Sequence, residues 1–497
     1  MKFSSQKLKS AAKFYIFSSG IVLNLILFMA FIYGVYKVSQ LGVSFEDVVN
    51  KSADKIYPKA PTLANLIRNI TRETNDEWVF SGLDVDVWSG KGAGSLNTSI
   101  VGGGQVNQRG KVISVSNSRE FLTALKTVER GQAIKLMPGT YKIKQRTINI
   151  RHSGSSIEPI TVMGSELGAV MLELDTLEGF YVDKPFWVFE NLKIKGVCAS
   201  DSQCEHAFHV VGKGNNVIVR NNIITDFNAA MKVNGIKYGT EYYYPDNGRV
   251  EGNSFFNHSV RDTGNPVTVL DIIAVNDWVV SDNLIADFIK GKSDRVSYAA
   301  FFKGNGARNT FERNLVICRL NLKPTGGEQV GVSFGGGGTS KSACRNQQCD
   351  VESSFGIVRH NLIMNCDDVA IYLNKSKDTE IYNNTLINTL GIDVRFPQSS
   401  AVIANNFLTG RIKNRNGGTS QAMNNIVVDL SDVADYYQAP MMGDFTLKNK
   451  GEIVDRGVDL QVEEKDFCGE QRGPVGLDIG AFEYLDGTST CDPFGNK

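Results

Sequence analysis

The sequence predicts an all-β chain built as a solenoid, a stack of short coils of similar size. Two observations carry this. Short alternating strands recur, each ending on a marked asparagine, as in "VIVRNNIITDF", "GRVEGNSFFNH", "WVVSDNLIADF", "NTFERNLVICRL", "FGIVRHNLIMNC", "TEIYNNTLINT", "AVIANNFLTGR" and "QAMNNIVVDL". The markers Asn222, Asn253, Asn283, Asn314, Asn361, Asn384, Asn406 and Asn425 keep a roughly regular spacing, broken only by the insertion "GGGGTSKSACRNQQCDVESS". Period-2 strands inside a repeat of this size mean stacked coils rather than one folded sheet. Asparagine suits the bend between strands because it tolerates a left-handed backbone. Its side chain can also bond the same residue of the next coil.

Each coil carries a second strand before its asparagine strand: "AFHVVG", "AMKVNG", "VTVLDI", "AAFFKG", "VGVSFG", "VAIYLN" and "GIDVRF". Strand side chains alternate between faces. The apolar alternates are placed inward: Phe208/Val210, Met231/Val233, Leu270/Ile272, Ala300/Phe302, Val332/Phe334, Ile371/Leu373 and Val394/Phe396. The outward set is then His209, Lys232, Asp271, Lys303, Ser333, Tyr372 and Arg395. Coils stack about 4.8 Å apart, so seven such positions would form a stripe of roughly 30 Å, long enough for several sugar units.

At the front of the repeat, "SNSREFLTALKTVERGQAIKLMPGTY" predicts an amphipathic capping helix over about Arg119 to Val128, then a strand and a Pro-Gly turn. Such a cap covers the open end of a core and blocks edge pairing. At the back, "DFTLKNKGEIVDRGVD" leads to "CGEQRGPVGLDIGAFEY". There Asp455, Arg472, Asp478 and Glu483 read as a structural polar network.

The 497 residues carry 53 basic and 53 acidic side chains, so net charge gives no reason to expect a nucleic-acid partner. Residues 14–36, "FYIFSSGIVLNLILFMAFIYGVY", hold no charge and lie between Lys13 and Lys37. A helix of that length spans a bilayer. Lys2, Lys7, Lys9 and Lys13 precede it, while Glu46 and Asp47 follow. The charge bias places residues 1–13 in the cytoplasm and the rest on the periplasmic or extracellular side of the lipid bilayer. Residues 37–110 read as a stalk, 111–485 as the solenoid and 486–497 as a tail.

Eight cysteines fit that compartment. Cys198/Cys204 and Cys344/Cys349 are close in sequence, Cys318 and Cys366 each follow an asparagine strand, and Cys468 and Cys491 remain. No C-x-x-C is present and only five His occur, so no thiolate or histidine metal site is expected.

The asparagine-ended coils, from about residue 111 to 485, resemble the right-handed parallel β-helix of pectate lyases and related carbohydrate-active proteins. Within them, "LNKSKDTEIYNNTLIN", "IDVRF" and "ANNFLTG" resemble the lyases that include chondroitinase B and the β-helical alginate lyases. That resemblance implies Lys375 as base and Arg395 as the assisting arginine. It also implies calcium near the acidic pair Asp367-Asp368, neutralising a uronate carboxylate. β-Elimination needs a cation on the carboxylate, a base for the C5 proton and an acid for the leaving oxygen. Arginine grips carboxylates in a bidentate pair, and a lysine amine beside other cations is a usable base. Tyr372 could move a proton on the same face. Lys303, Asp271, Ser333, Arg411 and His209 are candidate substrate-binding residues.

Two other classes stay open. Asp367-Asp368 with Arg411 and Lys413 resembles fragments of polygalacturonases, which set paired carboxylates around a water. A tethered β-helix could also bind an exopolysaccharide without cleaving it. The loop "EYYYPDNGR" offers Tyr242, Tyr243 and Tyr244 for stacking on sugars or for packing on a coil. "VGVSFGGGGTS" lacks the Gly-Lys-Ser/Thr ending of a phosphate loop.

Overall fold

The computed structural model describes residues 110–484, apart from 323–325, 337, 449–450, 461–464 and 473–475, together with residues 29, 33, 34, 52, 56, 60 and 63. Most of the expected membrane span at 14–36, most of the stalk and the tail lie outside the described residues. Among those described, no helix is long and apolar enough to cross a membrane.

Three long parallel sheets wrap around one core. A twelve-stranded sheet runs from Val112–Val115 to Thr419–Met423, an eleven-stranded sheet from Gly139–Lys144 to Ile426–Val427, and a ten-stranded sheet from Thr147–Asn149 to Arg411–Arg415. From Gly139 onward each coil gives one strand to each sheet, so ladder neighbours in the three sheets come from successive coils. This is the solenoid that the repeat predicts, in the parallel β-helix form that the resemblance implies.

The marker asparagines form one continuous ladder between the twelve- and eleven-stranded sheets. Each side-chain amide from Asn222 to Asn406 donates to the carboxamide oxygen of the next, at 2.9–3.1 Å, ending on Asn425. The same oxygens also accept the neighbouring backbone N–H, as in Asn314 N–H to Asn361 Oδ1 at 2.9 Å. The second amide hydrogen goes to backbone carbonyls, as from Asn361 to Arg359 O and Phe311 O at 2.9 Å. All three polar functions of a buried residue are thereby satisfied, which is the condition for burying them at all. One expectation needs refining. The left-handed residue is the one before each ladder asparagine, for example Asn221, Asp282, Arg313, His360, Asn383 and Asn405, with φ between 49° and 60°.

The core is filled by stacked like residues, such as Phe180 on Phe208 at 5.3 Å and Phe302 on Phe334 at 4.6 Å. The capping helix forms over Ser118–Thr127 and buries Phe121, Ala124 and Leu125. Asn117 accepts from Glu120 N–H at 3.0 Å while the Glu120 carboxylate accepts from Ser116 N–H at 2.8 Å, a reciprocal cap.

The closing segment does not plug the far end. Phe445, Phe467, Ile479 and Phe482 instead pack on outward side chains of the eleven-stranded sheet, including Leu362, Met364 and Phe407, making a second core. Arg472 is buried there and holds Glu483 at 2.7 Å and Gly480 O at 2.7 Å, while Asp478 accepts from Asp455 N–H at 2.8 Å. The four residues read as a structural network are one.

Disulfides join Cys198–Cys204, Cys318–Cys366 and Cys344–Cys349. Cys468 is also disulfide-bonded; Cys491 lies outside the described residues.

Two stability tests follow. Asn361→Ala leaves Asn314 N–H and the Arg359 and Phe311 carbonyls without their partners. It should destabilise by about 3 kcal/mol or more, since each stranded buried group costs about 1–3 kcal/mol. Asn425→Ala, at the exposed end of the ladder, should cost far less. Equal melting temperatures for the two variants would show that the ladder is not a stabilising unit. The second test uses His206, where burial pushes the imidazole pKa from 6.5 down to about 3, helped by His209 and Lys232. The unfolded chain therefore binds the proton first. Stability is whole above pH 6.5 and falls as the pH drops toward about 3, by up to about 1.4 kcal/mol per pH unit. Thermal melts from pH 7 to pH 4 should show this loss, and His206→Gln should flatten it.

Candidate functional site

The outward stripe is real, but its membership differs from the expectation. Register across the ten-stranded sheet aligns His209, Lys232, Asp271, Phe301, Ser333, Tyr372, Asp393 and Lys413 in one column. Lys303 and Arg395 also point outward, but they stand two residues further along their strands. Lys303 pairs with Ile273, and Arg395 pairs with Asn374 and Arg415. Phe396 is not an inward residue. The inward pair on its strand is Ile392/Val394, and Phe396 sits half-buried in the following turn at φ 75°.

At the N-terminal end of the face the charges are compensated. Asp271 is buried between Lys232 and Lys303, with Lys303 Nζ at 3.0 Å. Burial raises its pKa, but Lys303 and Lys232 outweigh that and hold it below the usual carboxylate range. Asp271 therefore fixes two lysines and is not open to a ligand. His209 meets Asn234 Oδ1 at 2.8 Å and Glu178 at 3.5 Å. Ser333 is fully buried and donates to Gly335 O at 2.8 Å, so it too is withdrawn from the surface.

At the C-terminal end the picture reverses. The Tyr372 hydroxyl accepts from Arg395 at 3.0 Å and from the Asn374 amide at 3.3 Å. Arg395 also donates to Asn416 Oδ1 at 3.2 Å and lies 4.5 Å over the Phe396 ring. Lys375 occupies the turn after its strand, at φ 58°, and its N–H reaches Arg395 O at 3.4 Å. The coil placement expected for Lys375, Tyr372 and Arg395 is therefore the one found. Among the described residues, neither Lys375 nor Arg395 has a carboxylate within ion-pair distance, and Arg411 and Lys413 beside them are exposed and likewise unneutralised. Arg415 differs, since it binds the buried Asp393 at 2.6 Å.

Two residues here escaped the sequence. Asp393 is an acid in an outward slot of a strand read one position pair too late. Glu352 returns the chain from the insertion into the turn stack. Its N–H donates to Lys375 O at 2.9 Å, and its carboxylate accepts from Gly304 N–H at 2.9 Å. Burial raises the Glu352 pKa, against the opposing pull of that N–H and of Lys375 and Lys303. No repeat position marks it, because it ends a non-repeating insertion.

The calcium expectation fares less well. The Asp367 carboxylate is buried and accepts from Gln329 N–H. Neither it nor Asp368 belongs to a cluster of three potential ligands. The one such cluster among the described residues, Cys344, Cys349 and Glu352, has its two sulfurs in a disulfide. The donors do not assemble into an oxygen cage of the kind calcium takes. Of the tyrosine loop, Tyr244 packs under Arg345, whose guanidinium is 4.7 Å from its ring, while Tyr242 and Tyr243 lie under Lys237 and Lys213.

No family model matches the chain, and no curated protein matches its sequence. Solved structures do match. Pectate lyase Pel9A aligns over 76% of this chain and 97% of its own, with a TM-score of 0.53 and 14% identity. The PL6 family polysaccharide lyase Pedsa3628 from Pseudopedobacter saltans covers 68% of this chain and 96% of its own, at 17% identity and a TM-score of 0.33. The PL6 family alginate lyase AlyGC covers 78% and 58%, at 13% identity and a TM-score of 0.32. The first likeness is one of fold: this chain is a right-handed parallel β-helix of the kind that pectate lyase has.

Proposed function

We propose that the protein acts on an acidic, uronic-acid polysaccharide at the C-terminal end of the ten-stranded face, by β-elimination. The observation that carries this reading is the tyrosine–arginine pair, Tyr372 to Arg395 at 3.0 Å, set among cations that lack carboxylate partners. A polyanion supplies what they lack. The pectate lyase that shares this fold is in keeping with the substrate class.

In this mechanism Arg395 binds the uronate carboxylate through a charge-assisted pair and makes the adjacent C5 proton acidic. The Lys375 amine takes that proton. Electrons of the broken C5–H bond form the C4–C5 double bond as the C4–O bond breaks. The Tyr372 hydroxyl gives its proton to the leaving oxygen. The cation is protein-borne, so no step runs through calcium. The apolar run at 14–36 tethers the β-helix outside the cytoplasm in this reading. The full-length protein should then fractionate with membranes and resist carbonate extraction; a soluble form starting near residue 40 would contradict the tether.

Incubation of the protein with a panel of uronic-acid polysaccharides, followed at the ultraviolet absorbance of the unsaturated product, tests the reaction. Arg395→Ala should lower that rate about 10- to 100-fold, because a hydrogen bond to a charged group is worth about 1.5–3 kcal/mol. Its melting temperature should scarcely move, since the side chain lies on the surface. Val394→Asp should do the reverse and unfold the coil by burying an unpaired charge. If Arg395→Ala changes neither activity nor binding, the cations are a solvated face only.

A further inference from the structure

We infer that the protein works on the ends of acidic polysaccharide chains and not within them, because its face is closed on one side of Tyr372. The inference rests on the reaction being placed at Tyr372 and Arg395.

The closure is made by the chain itself. After the strand Glu328–Phe334, Gly335 takes a left-handed conformation at φ 74° and Gly336 turns back onto the outward ring of Phe301. A Cβ at Gly336 would stand 2.1 Å from that ring, so only glycine can pass there. The Phe301 ring is stacked by Tyr298 at 4.5 Å and capped by Lys303 Nζ at 4.2 Å, leaving the residue 8% exposed. Ser333, the next outward residue toward Tyr372, is fully covered. An aromatic ridge thus crosses the face between Asp271 and Tyr372.

The ridge is fixed rather than hinged. Arg345 of the insertion grips Asp246 at 2.6 and 2.8 Å, and its N–H bonds Gly304 O at 2.9 Å. Cys344–Cys349 staples the same insertion, and Glu352 N–H ties its exit to Lys375 O at 2.9 Å.

Charge divides the face at the same line. On the far side Lys232 and Lys303 are both already bound to the buried Asp271, so a polyanion there must compete with that carboxylate. On the near side Lys375, Arg395, Arg411 and Lys413 await one. Among the described residues the near side is also open at its outer end, because Arg411–Arg415 is the last strand of the sheet and Arg411, Lys413 and Asn414 are exposed. From Tyr372 to Lys413 is two coil steps, roughly 10 Å. A chain entering from that end meets the ridge after a short oligosaccharide.

Two measurements on the full-length protein test this. Polygalacturonate and alginate are digested while product absorbance and solution viscosity are followed together. End-directed action raises absorbance with viscosity nearly unchanged; an early collapse of viscosity overturns the inference and leaves the elimination reading intact. Separately, calorimetric titration into saturated uronic-acid chains of increasing length counts proteins bound per chain. A count that stays fixed as the chain lengthens supports end binding, even if no product forms and the elimination reading fails. A count rising in proportion to length overturns it. Tyr298→Ala with Phe301→Ala, which lowers the ridge, should shift products from the shortest oligosaccharides to a broad range of lengths. An unchanged distribution from the folded double variant overturns the role of the ridge.

Discussion

One hydrogen-bond ladder governs the rest of this molecule. The eight asparagines from Asn222 to Asn425 bond each to the next, side chain to side chain and side chain to backbone, from the strand Ile218–Arg220 to the last strand of the twelve-stranded sheet. A buried amide that misses a partner costs about 1–3 kcal/mol, so every coil that carries a rung has one favoured height and one favoured rotation. Because a one-residue slip in a strand turns all its side chains to the opposite face, fixing the ladder also fixes which side chains look outward on the sheet across the coil.

The functional face is a consequence of that fixed register. Residues far apart in the chain are stacked at the spacing of adjacent strands, so a site can be assembled from one or two side chains per coil. Tyr372, Asp393 and Lys413 come from three successive coils, as do Asn374, Arg395 and Arg415. Charge is then a matter of which coil carries an acid. Asp271 binds Lys232 and Lys303, and Asp393 binds Arg415, while Lys375, Arg395, Arg411 and Lys413 have no carboxylate within ion-pair distance among the described residues. A rigid stack fixes the strands that carry those cations, and Arg395 is held further by Tyr372 and Asn416, which is the kind of preorganisation that electrostatic catalysis needs.

The ladder was legible because each rung is written into the sequence at coil spacing. The parity of the outward strands was legible too, since alternation alone sets it: Val394 is inward and Arg395 outward, as expected. What alternation does not set is the stagger between coils. "GIDVRF" and "AAFFKG" can each slide by two residues without changing which side chains face out. Hence Phe396 was read as core, and Phe301 and Asp393 went unseen in the outward column. The stagger depends on where the left-handed turn falls, at Phe396 in one case, and that is decided by contacts with neighbouring coils. The burial of Ser333 was beyond reach for a similar reason. It follows from the direction in which a non-repeating insertion leaves the stack, which no periodicity records.

The account stands or falls on where an acidic glycan lies. A crystal structure of the protein with a saturated uronic-acid oligosaccharide measures this directly. The sugar is predicted to lie across Tyr372, Arg395 and Lys413, with a carboxylate on the Arg395 guanidinium and its inner end against Tyr298 and Phe301. Density along the Asp271–His209 half of the face, on the tyrosine hairpin or on the eleven-stranded sheet would contradict it.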